Sequence, residues 1–257
     1  MKTFIFIKRF TVAFACLAAL LLGCSAALAQ IPGGDKNAAG MNAAMVRLFG
    51  SNTNFISKAE VRVLDKNQQE TTSMPMGFEM LGGKVRVDIN MSQVKSKEMS
   101  PDFVANMKQM GMDQMTTILL PDKKVVLSIY PGLKAYAATP MAKDEIDAAT
   151  QTYKIEKTRL GKETIDGRAC EKNNVTLTDG KGEKQHAIIW NAADLKDFPV
   201  QMQIAADDST LIMKFKDIKL GRPDASHFDA PAGLTKYDSV NALISEAITK
   251  KMNAPAK

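Results

Sequence analysis

A chain of 257 residues, 45% of them apolar, has material for one large domain or two small ones with a real core. Its formal charge is +6, from 34 basic and 28 acidic side chains, but Lys2, Lys8 and Arg9 lie in the first nine residues and only a small positive excess remains beyond them. Nucleic-acid binding thereby loses its main support, and the composition excludes a fully disordered chain, a collagen and a disulfide-stapled mini-domain.

The first residues read as an export signal. Lys8-Arg9 precedes an uncharged apolar run over 10–22, and Ala27-Leu28-Ala29 supplies the small residues that cleavage needs. The run is too short to read as a membrane span. Two cleavage sites are legible. Ala27-Leu28-Ala29 before Gln30 makes 1–29 the signal peptide. Leu21-Leu22-Gly23-Cys24 resembles a bacterial lipobox, which would remove 1–23 and make Cys24 the lipidated first residue. Ordinary cleavage has the better spacing, and lipidation at Cys24 stays open. Either way Cys170 is the one remaining cysteine that could pair, so no intramolecular disulfide is expected. Cys170 itself reads as a small, half-buried strand residue.

Residues 30–40 are small, polar and rich in Gly and Pro, as suits a flexible tether. A half-barrel domain is expected over 41–238, followed by a C-terminal helix and tail over 239–257. Apolar residues at 41, 44, 45, 48 and 49 fit one face of a short helix ending at Gly50. Period-two alternation follows. Ala59, Val61 and Val63 form one row, and Met74, Met76, Phe78 and Met80 another. Val85, Val87, Ile89 and Met91 form a third, with Gly82-Gly83 as the hairpin turn between the last two. Ser100-Pro101-Asp102 opens a helix carrying Phe103, Val104, Met107 and Met110 that stops near Gly111.

Strands resume at 115–120, 125–130 and 135–138, with a short acidic helix at 143–149. Further strands are expected at 153–160, 169–177, 185–191, 200–206 and 211–220, separated by turns such as Asp166-Gly167. Ser239 caps a last helix with Val240, Leu243, Ile244, Ala247 and Ile248 on one stripe. The fold class is mainly β (α+β): about 9–11 antiparallel strands in one continuous sheet. Twist should curl such a sheet, leaving the helices near 41–49, 101–110 and 240–252 to cover its concave face.

The second half has a recognisable order. Gly161, Glu163 and Gly167 are followed by Trp190, then by Phe198-Pro199, then by Phe228, Pro231 and Gly233. The pattern GxExxxG…W…P…FxxPxG resembles bacterial envelope proteins of the periplasmic lipoprotein-carrier (LolA-like) superfamily. The likeness is to a branch of exported proteins of unknown function, over roughly residues 55–235. The resemblance implies a curved antiparallel half-barrel lidded by helices, with a hollow that takes acyl chains or other apolar groups. It carries over no catalytic residues. The arginine that gates the classical carrier's cavity has no identifiable position here.

The residues themselves point to no chemistry. His186 and His227 fall in no zinc spacing, the serines lack a nucleophile-elbow context, and no phosphate-binding glycine loop is present. No catalytic residue, metal ligand or cofactor is assigned. The distinctive feature is methionine, with nine of sixteen between 74 and 115. A thioether-rich wall adapts to varied apolar guests, and it is equally a plain adaptable core. The expected function is therefore a non-enzymatic envelope protein, periplasmic or an outer-membrane lipoprotein facing the periplasm. It would hold a lipid, an acyl chain or an acylated protein against Met76, Phe78, Met80, Val87, Ile89, Phe103, Met107 and Met110. Membrane contact would come only through a lipid anchor. Two alternatives remain. One is an interaction or sensing module for another envelope protein. The other is a Cu(I) site on Met107, Met110, Met112 and Met115, whose spacing is suggestive but whose positions periodicity already explains in part.

Overall fold

In the computed structural model, which describes residues 46–206 and 208–252, alternation becomes one open, curved antiparallel sheet, a half-barrel. A first meander contains β1 (Asn54–Asp65), β2 (Glu70–Leu81), β3 (Lys84–Asn90), β5 (Gln114–Leu120), β6 (Val125–Tyr130) and β7 (Ala135–Pro140). A second contains β8 (Lys154–Ile165), β9 (Arg168–Thr178), β10 (Lys184–Ala192), β11 (Phe198–Ala206) and β12 (Ser209–Leu220). The two are joined where β12 pairs antiparallel with β1. Among the described residues there are thirteen strands, more than the 9–11 expected. The surplus is β4 (Lys95–Ser96), paired with β2, and β13 (Thr235–Tyr237), which lies parallel to β7. Both are too short for alternation to show.

The hairpin between β2 and β3 turns at Gly82 and Gly83, both at positive φ (56° and 93°), as a two-residue turn matched to strand twist requires. Asp166-Gly167 does the same between β8 and β9, at φ 49° and 78°. Register shifts at Ile56/Lys58, Val63/Leu64, Arg159/Gly161 and Trp190/Asn191 mark irregularities that bend strands and raise local twist.

Cross-strand register builds the concave wall. Met74, Val61, Met213, Met202, Ile189 and Asn173 form one continuous buried row across six strands. The opposite face is polar over β1–β3, where Lys58, Glu60, Arg62 and Arg86 project. Over β5–β7 it carries a second, smaller core of Ile118, Leu120, Leu127 and Ile129, capped by Phe228. The segment leading from β12 to β13 is thus a strap. Glu79 shares a hydrogen bond with His227 (2.8 Å), and Arg86 donates to the His227 carbonyl (2.7 Å) while holding Asp88 bidentately.

Among the described residues three helices of two turns or more attend the sheet: α1 (Pro101–Met110), α2 (Lys143–Thr150) and α3 (Val240–Met252). Of the expected N-terminal helix, residues 46–48 are helical. Residues 41–45, the signal segment, Cys24 and the tether lie outside the described residues. α3 buries Val240 and Leu243 in the main core. α1 has the caps the sequence predicts: the Ser100 hydroxyl accepts from the Phe103 amide, and Gly111 closes the helix at φ 73°. Yet no α1 residue is buried. Cys170 is fully rather than half buried, and that burial pushes its thiol pKa up. No helix among the described residues is long and apolar enough to cross a membrane.

One buried hydroxyl stands out on the concave wall. Thr117 lies between Val87 and Ser128 in register, is fully buried, and its Oγ1 has no hydrogen-bond partner among the described residues. Thr117→Val removes an unpaired polar atom at nearly constant shape. Stability should rise by about 1 kcal/mol, read as a shift of the urea midpoint at constant m.

Candidate functional site

Five of the eight wall residues named from the sequence meet in the structure. Met76, Phe78, Met80, Val87 and Ile89 are buried in the main core, joined by the ladders Met76–Ile89, Phe78–Val87 and Met80–Val85. Phe103, Met107 and Met110 do not join them. They stand on α1, with Phe103 47% exposed and the two methionines half-buried. Met112 and Met115 are buried beyond the helix. Among the described residues no three His, Cys, Asp or Glu side chains gather as a metal site would require.

The centre of the hollow is filled. Phe49 follows the N-terminal helical turn and reaches four rings: Phe55 (4.9 Å), Phe215 (5.3 Å), Phe198 (5.6 Å) and Phe78 (5.7 Å). Those four come from β1, β12, β11 and β2 and also touch one another. Phe55 stacks on Phe78, and Phe198 meets Phe55 and Phe215 edge-on. Asn52 fastens the plug, donating to the carbonyls of Phe49 and Lys196. The Lys196 carbonyl belongs to the β10–β11 connection, itself held by Asn191 donating to the Asp197 carbonyl (2.8 Å). Sequence reading missed this cluster. Each phenylalanine is an ordinary apolar position within its own segment, and only the sheet order brings them together.

Open space lies beside the plug. β12 sets Asp217 and Ile218 opposite the single residue Ser57, and Asp217 takes a positive φ of 52°. The extra residue disrupts the ladder there. The tip of the β8–β9 hairpin comes across to face the gap, with Asp166 accepting from Lys214 of β12 at 2.6 Å. The result is a groove of about 850 Å³. Its apolar part is Ile56, Ile165, Val200, Phe215 and Ile218, and Phe215 also belongs to the five-ring cluster. Its polar part includes Lys58, Arg168, Lys216 and Lys219 with Asp166 and Asp217. Lys58 pairs with Asp217 at 2.7 Å. Their hydrogen bond and mutual attraction hold the carboxyl below, and the ammonium above, its ordinary range.

The residues that make the second half recognisable serve the scaffold. Trp190, buried under the Lys172 ammonium at 5.1 Å, donates its indole N–H to Glu163 at 2.7 Å. The Lys172 hydrogen bond first, and Trp190 second, keep the Glu163 carboxyl below the usual range. Gly161 sits at the β8 irregularity, Gly167 in the turn, and Phe228 anchors the strap.

A family model described as a domain of unknown function (DUF4412) matches residues 71–198, from β2 to the first residue of β11. No curated protein sequence matches the chain. Solved structures show distant similarity, three of them as follows. A LolA superfamily protein from Nitrosomonas europaea is 9% identical, with 72% of this chain and 93% of that one covered at a TM-score of 0.35. The lipoprotein LppX from Mycobacterium tuberculosis is 11% identical, with 70% and 96% covered at 0.38. LprF from Mycobacterium bovis is 13% identical, with 72% and 96% covered at 0.37. The first of these is from the superfamily that the sequence pattern resembles.

Proposed function

We propose that this chain is an exported envelope protein that holds an apolar guest, a lipid or an acyl chain, and does no chemistry on it. The observation that supports this reading is the groove at the β1–β12 irregularity. It combines an open volume of about 850 Å³ with an apolar floor that runs, through Phe215, into the buried aromatic cluster. That volume lies within the ~300–1,000 Å³ of small-molecule sites, and five of the twelve lining residues are apolar. The wall of Met76, Phe78, Met80, Val87 and Ile89 lies behind the plug, with Phe78 5.7 Å from Phe215. On this reading the groove is the entry and the flexible thioethers behind it adapt to the guest. The exposed apolar side of α1, led by Phe103, offers a further greasy surface to whatever delivers or receives it.

Export is part of the same reading. The leading segment is removed, either before Gln30 or with Cys24 retained and lipidated, and the protein works in the periplasm or on the outer membrane's inner face. Native mass spectrometry of protein extracted from the envelope under mild conditions tests both halves. A mature mass beginning at Gln30, or at an acylated Cys24, is expected, together with a non-covalent lipid adduct. The adduct should be lost in Ile165→Glu, which places a charge on the groove floor. A protein that carries no lipid, and takes up none when offered mixed phospholipid vesicles, overturns the reading.

A further inference from the structure

We infer that the groove takes a long-chain amphiphile bearing a single negative charge, in its simplest form a fatty carboxylate, with its chain on the apolar floor and its headgroup beside Lys219. This deepens the apolar-guest reading and rests on it.

Four cations and two carboxylates line the groove. Three of the cations already have partners: Lys58 with Asp217 at 2.7 Å, Lys216 with Glu60 at 3.7 Å, and Arg168 with Asp194. The second carboxylate, Asp166, is taken by Lys214 at 2.6 Å. Lys219 remains. It is exposed at the rim and makes no ion pair among the described residues. Its charge acts only at longer range on Asp217, which Lys58 already holds ionised. The site therefore has one positive charge to spare, next to the floor residues Ile56 and Ile218.

That residue of charge selects a ligand class. A neutral lipid would fill the floor and leave Lys219 unused. A dianionic headgroup would need a second free cation, which could come only by breaking one of the existing pairs. A monoanion on a single chain uses both parts of the groove at once. The ladder disruption at Ser57 sets the geometry, because it opens the sheet between Lys58 and Lys219 where the headgroup would sit.

Calorimetric titration of the delipidated mature protein with laurate and with dodecanol, equal in chain length and different in charge, separates the claims. Laurate should bind about two- to fivefold more tightly than dodecanol, the gain expected of one solvent-exposed charge pair. Lys219→Glu should bring laurate down to the dodecanol level or below while dodecanol binding is kept. Lys219→Met, which keeps the stem and removes the charge, should equalise the two. Lys66→Glu, in the exposed turn at the far end of β1, should change neither. Equal affinity of the wild-type protein for both ligands overturns the charge inference and leaves the apolar reading standing. Binding of neither removes both.

Discussion

Phe49→Ala should cost about 3–5 kcal/mol of folding stability, the range for truncating a buried phenylalanine whose surroundings cannot close over the hole. Phe49 is 2% exposed and touches four rings, each of them held on a different strand. A cavity bounded by four strands of one hydrogen-bonded sheet shrinks poorly, because closing it means bending several ladders at once. Phe103→Ala is the natural comparison. That side chain is 47% exposed on a helix with no buried residue, so its loss should cost about 1 kcal/mol or less. Chemical denaturation of the two variants side by side gives the contrast. A Phe49→Ala loss under about 2 kcal/mol would mean that the centre of the half-barrel is looser than a packed core. The functional consequence is of opposite sign. Phe215 borders both the cluster and the groove, so the vacated volume adjoins the entry. Apolar holes of that kind stay dry and accept small apolar molecules. The variant should be less stable and yet take up benzene or a longer acyl chain better than the wild-type protein does.

That contrast marks how far the sequence could be read. Alternation identified the β2–β3 hairpin and its Gly82-Gly83 turn, since both depend on neighbours within a few residues. The caps of α1 were legible for the same reason, from Ser100, Pro101 and Gly111. Periodicity also placed Met76, Phe78, Met80, Val87 and Ile89 on one face, because a strand's two faces are fixed once one is apolar. It could not say what would cover α1. An apolar stripe shows which side of a helix avoids water, and nothing about whether a partner lies within reach, so Phe103, Met107 and Met110 ended outside the core. The plug was illegible because Phe49 meets Phe198 and Phe215 only through the order of strands in the finished sheet. The groove depends on one extra residue in β12, and Asp217 at positive φ has no signature in a run that otherwise reads as strand. The long edge strand β8 was legible in part. Nearly every one of its residues is exposed, including Ile155 and Leu160, and it is dense in Lys, Arg and Glu. Such charges discourage edge-to-edge pairing; the sequence reading placed a strand at 153–160, and the ladder with β9 runs on past the Gly161 irregularity to Ile165.

Gly132→Ala should detach α1 from the body of the protein at a cost of about 1–3 kcal/mol, the range for forcing atoms into occupied space. The helix buries no side chain fully; it lies against the 91–93 turn and α3, and its C-terminal end is fixed backbone to backbone. At its C-terminus the Gly111 amide bonds back to the Lys108 carbonyl and the Met112 amide to that of Met107, closing the last turn. There the chain meets the turn at 131–133 backbone to backbone. A Cβ on Gly132 would lie 2.4 Å from the Gly111 carbonyl oxygen and 2.9 Å from its Cα. Neither atom belongs to a flexible side chain, so one segment must move. Gly132 does not have positive φ, so its substitution tests the close approach alone; Gly111→Ala adds left-handed strain to the clash. Gly167→Ala is the complementary control, with φ at 78° and nothing within 4 Å of the added carbon, and should cost about 1 kcal/mol. Hydrogen exchange locates the effect. In Gly132→Ala the amides of 104–110 should exchange at least about tenfold faster while those of β1–β3 keep their protection, as expected when one weakly buried unit opens by itself. Unchanged protection in α1 would show that its seat depends on the contacts made along its length and not on the two glycines.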